Sequence, residues 1–329
     1  MKKRLVDLRG EKPLLDIVSY GRGGPGSLSR SQREYVERTT RRVPEVVVKV
    51  SGGARTLAGV ERNMRYVVRS GKLGVEADTG ERLGVRGFES DLIYDWDLDL
   101  EARARYTQRS IRSPRKPPKL VHNLIFSMVP GTPPDKVLKA VRKLARNQFG
   151  SRHRHVMVLH TDEPHPHVHV IVKAMGEDGK RLNIRKETLR EWRGEFAANL
   201  RELGVAANAT ERAVRGKSEA WKRDGIYRAA QRGESTYLQK IVRQSAAGAP
   251  GEHPRNDTGL DVLLRTRESV IKGYREVSEN LRADGYAGLA SDVDAFIASM
   301  PPARADIGAT MSGSDWARHE ASTRPPRTR

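Results

Sequence analysis

The stretch HTDEPHPHVHVIVK, residues 160–173, holds the densest group of chemically capable side chains in the sequence. In an extended strand successive side chains point to opposite faces. Val168, Val170 and Val172 then make one apolar face, and His167, His169, Ile171 and Lys173 make the other. His160 closes the preceding strand and comes alongside the pair across the hairpin. Three neutral imidazoles converging on one point, with coordination positions left open, suit a divalent catalytic metal. Asp162 and Glu163 are close enough to accept a ring N–H and fix the tautomer. His165, next to Pro166, belongs to the turn. A bare His-x-His is often just a polar pair on a half-exposed strand. The third histidine and the acidic pair favour the metal, and alternation with valine in mid-chain argues against a tag.

The elements that must position this hairpin can be read from periodicity. VVVKV, residues 46–50, reads as a buried strand broken by Ser51-Gly52-Gly53. A helix follows from about Thr56 to Val68, with Leu57, Val60, Met64, Val67 and Val68 on one stripe. Tyr66 falls roughly 150° from the centre of that stripe and shares the polar side with Arg62 and Arg69. SGKLGVEADTGERLGV reads as a hairpin or loop with short strands. Residues 89–119 mix acids and bases and end in the basic, proline-rich RSPRKPPK. LVHNLIFSMVP, residues 120–130, reads as a central strand. PPDKVLKAVRKLARNQFG reads as a helix with proline at its start and Gly150 at its end. RHRHVMVLH and HVHVIVKAM are the two strands of the histidine hairpin. ETLREWRGEFAANLRELG is a helix closed by Gly204, with Trp192 in the core beside Leu189 and Phe196. A basic helical pattern runs from Asn208 to Gln244, and residues 260–298 are helical again. Strand, helix, hairpin, strand, helix, hairpin, helix is the order of an α+β fold: a central antiparallel sheet with flanking helices, followed by a helical C-terminal region.

Composition narrows the partners. The 329 residues include 61 Lys or Arg against 41 Asp or Glu, a net charge of +20. Such a field implies nucleic acid first and an anionic membrane second. Hydrophobic residues are 37%, low enough that part of the chain is expected to pack poorly. The absence of cysteine excludes disulfides, thiolate zinc sites and a cysteine nucleophile. No apolar run is long enough for a membrane span, the N-terminus does not read as a secretory signal, and the chain is expected to be cytoplasmic. Three regions are expected: a basic flexible arm over residues 1–44, a catalytic domain over 45–215, and a helical, basic region over 216–329 with a Gly/Pro linker near 246–259.

HTDEPHPHVHVIVK resembles the histidine motif of conjugative relaxases, in the HUH endonuclease superfamily, where two histidines flank one apolar residue. NMRYVVRSGKLGVEADTG resembles the tyrosine motif of the branch that holds plasmid mobilisation nucleases and the T-DNA border endonuclease. LIFSMVPGTPPDKVLKAVRKLARNQFG is similar to the segment between those motifs. The resemblance covers about residues 45–215. It implies site- and strand-specific nicking and rejoining of DNA at an origin of transfer, through a 5′-phosphotyrosine intermediate. On matching positions it implies Tyr66 as nucleophile, His160, His167 and His169 as ligands of Mg²⁺ or Mn²⁺, and Asp162 as a catalytic acidic residue. Where such relaxases carry a histidine in the preceding strand, this chain has Asn123, with His122 out of register.

The chemistry is coherent without the family. A phosphodiester resists attack because its oxygens are already negative, and a metal on three imidazoles would withdraw that charge and orient the phosphate. Arg62 or Arg69, one turn from Tyr66, would favour a phenolate. Two other tyrosines compete. Tyr237, in YLQK with Lys240 one turn on, follows the histidines as in rolling-circle replication initiators. Tyr94, in LIYDWD, sits among acids. Phosphate-binding candidates near the centre are Arg62, Arg65, Arg69, Lys72, Arg112, Arg115, Lys116 and Lys119. A second set follows it: Arg185, Lys186, Arg212, Arg215, Lys217, Lys222 and Arg223. Aromatic residues are 5%, too few for a broad base-stacking platform; Trp221 and Tyr227 could each stack a base or fill the core. The resemblance implies single-stranded origin DNA, accessory mobilisation proteins and a secretion-type coupling protein as partners. The competing functions are a replication initiator using Tyr237, a phosphodiesterase using water, and a non-catalytic basic DNA-binding protein.

Overall fold

The computed structural model describes residues 27–84, 87–109, 117–217 and 258–301, with the single positions 17, 232, 234 and 236. The chain divides into two compact units, Arg42–Ala209 and a second formed from Met1–Arg41 with Thr210–Arg329.

The first unit is built on a six-stranded antiparallel sheet. Its strands are β1 (Val47–Ala54), β2 (Val75–Ala77), β3 (Arg82–Leu83), β4 (Val121–Ser127), β5 (His155–His160) and β6 (His167–Lys173). Their order is β1-β4-β6-β5-β2-β3. The central strand β6 is rich in β-branched residues, Val168, Val170, Ile171 and Val172, which suit a pleated surface buried on both sides. One face packs Leu124, Phe126, Met157, Val168, Val170 and Val172 against two helices that supply Val141, Leu144, Trp192 and Phe196. These are α5 (Pro134–Gln148) and α6 (Lys186–Glu202). The valine face of the hairpin thus packs a core as the alternation requires, and Trp192 is buried, donating its indole N–H to Gln148 at 3.1 Å.

The opposite face carries a second core. Val121, Val156, Val158 and Ile171 meet Val60, Met64 and Val67 from α2 (Leu57–Val67), and Phe88, Leu92 and Trp96 from α3 (Phe88–Asp95) and its end. α4 (Leu98–Arg109) follows. These two helices lie where the sequence showed only mixed charge. The apolar positions Phe88, Leu92, Ile93 and Trp96 recur at helical spacing and were there to be read.

Ser51-Gly52-Gly53 does not end β1. The strand continues to Ala54, and the extra residue is absorbed as a bulge between Val50 and Gly52. Gly53 makes this possible. Its φ is 143°, and a Cβ there would sit 2.4 Å from the Val121 carbonyl oxygen. At the other edge, Arg142 of α5 holds Glu76 of β2 through two bonds of 2.5 and 2.7 Å.

The second unit departs from the expected mobile arm. Residues 30–40 form a helix, α1 (Arg30–Thr40), closed at its start by a Ser29–Gln32 capping box. Tyr35 and Val36 of α1 are buried with Ile17 and Leu28 against Val270, Tyr274 and Phe296. The last three belong to α7 (Thr258–Ala283) and α8 (Ala287–Ala298), which are separated by Gly285 at φ 83°. Over residues 30–40 no sign of this burial could be read from the sequence, because the burying partner lies more than 200 residues away, beyond the reach of local pattern; residues 1–16 and 18–26 of the expected arm lie outside the described residues. Asn208 to Lys217 forms a bridge and turns rather than helix. Residues 218–231 and 237–257 lie outside the described residues, as do Trp221, Lys222, Arg223, Tyr227 and Tyr237. Among the described residues no helix is long and apolar enough to cross a membrane.

Candidate active site

Register brings the three histidines together. His160 of β5 lies directly opposite His167 of β6, and His169 is two residues further along β6, opposite Val158. Opposed residues share a face and so do residues two apart. All three rings therefore lie on one side of the sheet. Ring centroids are 4.8 Å apart for His160 and His167, 4.4 Å for His160 and His169, and 5.2 Å for His167 and His169. One ligating nitrogen from each lies within 4.8 Å of the others, and all three residues are buried.

Hydrogen bonds fix the tautomers. His160 Nε2 lies 2.6 Å from the Val67 carbonyl oxygen, so Nε2 carries the proton and donates. Its Nδ1 is left as a bare lone pair, buried and unpartnered. His167 donates from Nδ1 to the His165 carbonyl at 2.9 Å, which frees Nε2. His169 Nδ1 is also buried without a partner. Burial first, then the neighbouring imidazoles, Arg69 and Lys49, push His169 down to about 3. Burial also lowers His160, against the Val67 carbonyl, which favours the charged ring. Neutral imidazoles with buried, unsatisfied lone pairs are what a divalent metal requires of its ligands. His160, His167 and His169 fit such an ion.

The Val67 bond also places the tyrosine helix. Val67 is the last residue of α2, where backbone carbonyls lack helical partners. The His160 ring N–H satisfies one of them, at the helix end where the dipole is negative. Tyr66 is therefore carried to the rim of the cluster. Its ring stands edge-on to His169 with centroids 6.5 Å apart, and it is 64% exposed. Tyr66 thus lies on the solvent side of α2, opposite Val60, Met64 and Val67, as the helical wheel requires. Tyr94 is exposed on α3.

Past Tyr66 the chain turns sharply through Arg69, Ser70 and Gly71, at φ 51°, 56° and 86°. Left-handed backbone at two consecutive residues other than glycine is strained. The turn directs the Arg69 guanidinium to Asp162 at 3.1 Å and Glu163 at 3.4 Å, with its carbon 5.7 Å from the Tyr66 ring centroid. The acidic pair thus meets Arg69. Asp162 Oδ1 is 3.7 Å from His160 Nδ1, too far for a hydrogen bond. His165 sits in the turn, its Nδ1 3.1 Å from the Met128 carbonyl.

Asn123 lies opposite Ile171 and so shares the histidine face, while His122 lies opposite Val172 on the other. The Asn123 side chain is buried and its Oδ1 unpartnered. Among the basic candidates, Arg62, Arg65, Arg69 and Lys72 gather on α2 and the turn after it, with Arg65 facing Glu61 at 3.4 Å. Arg185 and Lys186 do not join them. They start α6, and the chain reaches it from the Lys173 end of β6, where the Leu182 amide bonds the Ala174 carbonyl. Lys119 donates to the Gly52 carbonyl. Arg212, Arg215 and Lys217 belong to the other unit, and Arg112, Arg115 and Lys116 lie outside the described residues. The Val67 carbonyl escaped sequence reading because a backbone acceptor has no side-chain signature.

The family of relaxases described as MobA/VirD2-like, nuclease domain, matches residues 74–204, a span that holds all three histidines and begins just past Tyr66. The T-DNA border endonuclease VirD2 of Rhizobium radiobacter is 26% identical over 209 residues, covering 60% of this chain and 48% of that protein. The VirD2 protein of Agrobacterium fabrum strain C58 is 24% identical over 230 residues, covering 66% of this chain and 51% of that protein. The chain spans about half the length of these curated relatives. No solved structure matches. With its histidine hairpin inside the matched span, this chain is similar over residues 74–204 to the nuclease domain of MobA/VirD2-like relaxases, and over a longer stretch to the T-DNA border endonucleases.

Proposed function

We propose that this chain nicks one DNA strand at an origin of transfer and holds the cut end covalently on Tyr66. The observation that carries the reading is the hydrogen bond from His160 to the Val67 carbonyl. It ties the helix bearing the one exposed phenol at the site to the three convergent imidazoles. The phenolic oxygen of Tyr66 gives up its proton to solvent and attacks phosphorus, the P–O3′ bond breaks, and the departing 3′ oxygen takes up a proton to become a free 3′-hydroxyl. The phosphate ester formed with Tyr66 conserves the bond energy, so a 3′-hydroxyl can later reverse the step.

His160, His167 and His169 would hold Mg²⁺ or Mn²⁺, which when bound supplies charge withdrawal from the phosphate. The remaining work falls to protein groups. His160 fixes α2 and with it Tyr66. Arg69 lies beside the Tyr66 ring, 5.7 Å from its centroid, where its positive charge would meet a phosphate brought to the phenol. Asp162 and Glu163 hold Arg69 there, so Asp162 acts through Arg69. Arg62, Arg65 and Lys72 line the same side for backbone phosphates, and Arg115, Lys116, Arg185 and Lys186 would extend the grip along the DNA. Single-stranded origin DNA is the substrate this reading requires, and accessory mobilisation and coupling proteins are its expected partners. The test is incubation with supercoiled DNA carrying the origin and Mn²⁺. Covalent protein–DNA adduct is expected with the native chain and lost in Tyr66→Phe; an adduct that survives in Tyr66→Phe overturns the assignment.

A further inference from the structure

We propose that Lys49 binds a backbone phosphate of the DNA strand, next to the phosphodiester held at the histidine centre. The inference rests on the phosphodiester reading above and adds a residue to it.

The placement follows from register. Lys49 of β1 lies opposite Ile125 of β4, and Ile125 lies opposite His169 of β6. One row across the sheet therefore reads Lys49, Ile125, His169, all on the same face. The next row reads Val47, Ser127, His167 and His160. On the β5 side this face disappears under the second core. On the β1 side it stays open, with Val47 at 47% exposure and Lys49 exposed. The alternate residues Val46, Val48 and Val50 turn the other way, into the core beneath α5 and α6. Lys49 is thus held by β-pairing on a rigid floor with its side chain on the histidine side.

Two strand spacings separate Lys49 from His169, about 10 Å between Cα atoms. The lysine stem reaches about 6 Å, enough to bring its ammonium to a phosphate beside the cluster. Among the described residues Lys49 has no ion pair or hydrogen bond. Arg69, on the α2 side, is held by Asp162 and Glu163. An unpaired cation fixed in a strand, facing an open floor, keeps its charge for an external anion.

The test is affinity of the full chain for a random-sequence single-stranded 30-mer in Mn²⁺, measured across salt concentrations. Binding requires no covalent step, so the result does not depend on Tyr66 chemistry. One lost phosphate contact lowers the slope of log K against log salt by about 0.7, equivalent to about fourfold weaker binding at 0.15 M salt. Lys49→Met is expected to show that change and Lys49→Arg to restore the native slope. Lys139→Met, on α5 across the sheet, is expected to behave as native. The inference is overturned if Lys49→Met keeps the native slope, or if Lys139→Met loses as much. Adduct formation by native chain and Tyr66→Phe, run in parallel, decides the phosphotyrosine reading separately.

Discussion

Replacing His160 by alanine removes more than a ligand. The ring N–H that meets the Val67 carbonyl at 2.6 Å is lost. One such bond contributes about 1 kcal/mol net, and a buried carbonyl left unpaired adds about 1–3 kcal/mol. Together they put His160→Ala about 3 kcal/mol below native, before any cavity term, which is a large share of a typical ~5–15 kcal/mol. His169 is the control. Its Nδ1 is buried with no partner, so His169→Ala discards an unsatisfied group while losing some packing. Those effects offset, and the expected change is within about 1 kcal/mol. Both variants are unfolded with urea in chelator, followed by fluorescence of Trp96 and Trp192, which are buried in this unit. Equal midpoints for the two variants would refute the claim that His160 anchors the tyrosine helix.

Other outcomes follow from the same structure. Gly53→Ala should destabilise by more than about 1 kcal/mol, because at φ 143° its Cβ meets the Val121 carbonyl oxygen; thermal melting checks it. Trp192→Ala, in the core under α5 and α6, should cost about 3–5 kcal/mol by urea titration. In chelator, stability should fall as pH drops below about 6.5, with the His122 share lost by about 4 and the His169 share only by about 3. Burial first, then Lys119 and Arg181, push His122 down to about 4, and His169 lies lower still. A histidine whose folded value lies below its unfolded one binds its proton only on unfolding, so stability is complete above 6.5 and lost towards acid. Urea midpoints at pH 7.5 and 5 that coincide would contradict this.

The hairpin was legible because alternation alone decides it. Val168, Val170 and Val172 could only face a core, and His167 and His169 then had to share the other face with His160. The Tyr66 helix was legible from its apolar stripe. Illegible were features set by distant partners. Tyr35 and Val36 look unburiable until Val270 and Tyr274 are beside them. The role of Asp162 as an Arg69 partner depends on the left-handed turn at Arg69 and Ser70, which no side-chain pattern announces. Lys49 looked like one polar residue in a valine run, and only the register of two neighbouring strands turns it toward the histidines.

The account stands on one phenol sharing a centre with three imidazoles. Its most direct test is mass spectrometry of tryptic peptides after reaction with single-stranded origin DNA, Mn²⁺ and nuclease trimming. The account predicts the nucleotide on Tyr66-Val-Val-Arg69, with no adduct when His167 and His169 are both alanine. A nucleotide on the peptide carrying Tyr237, or an adduct indifferent to those histidines, would contradict it.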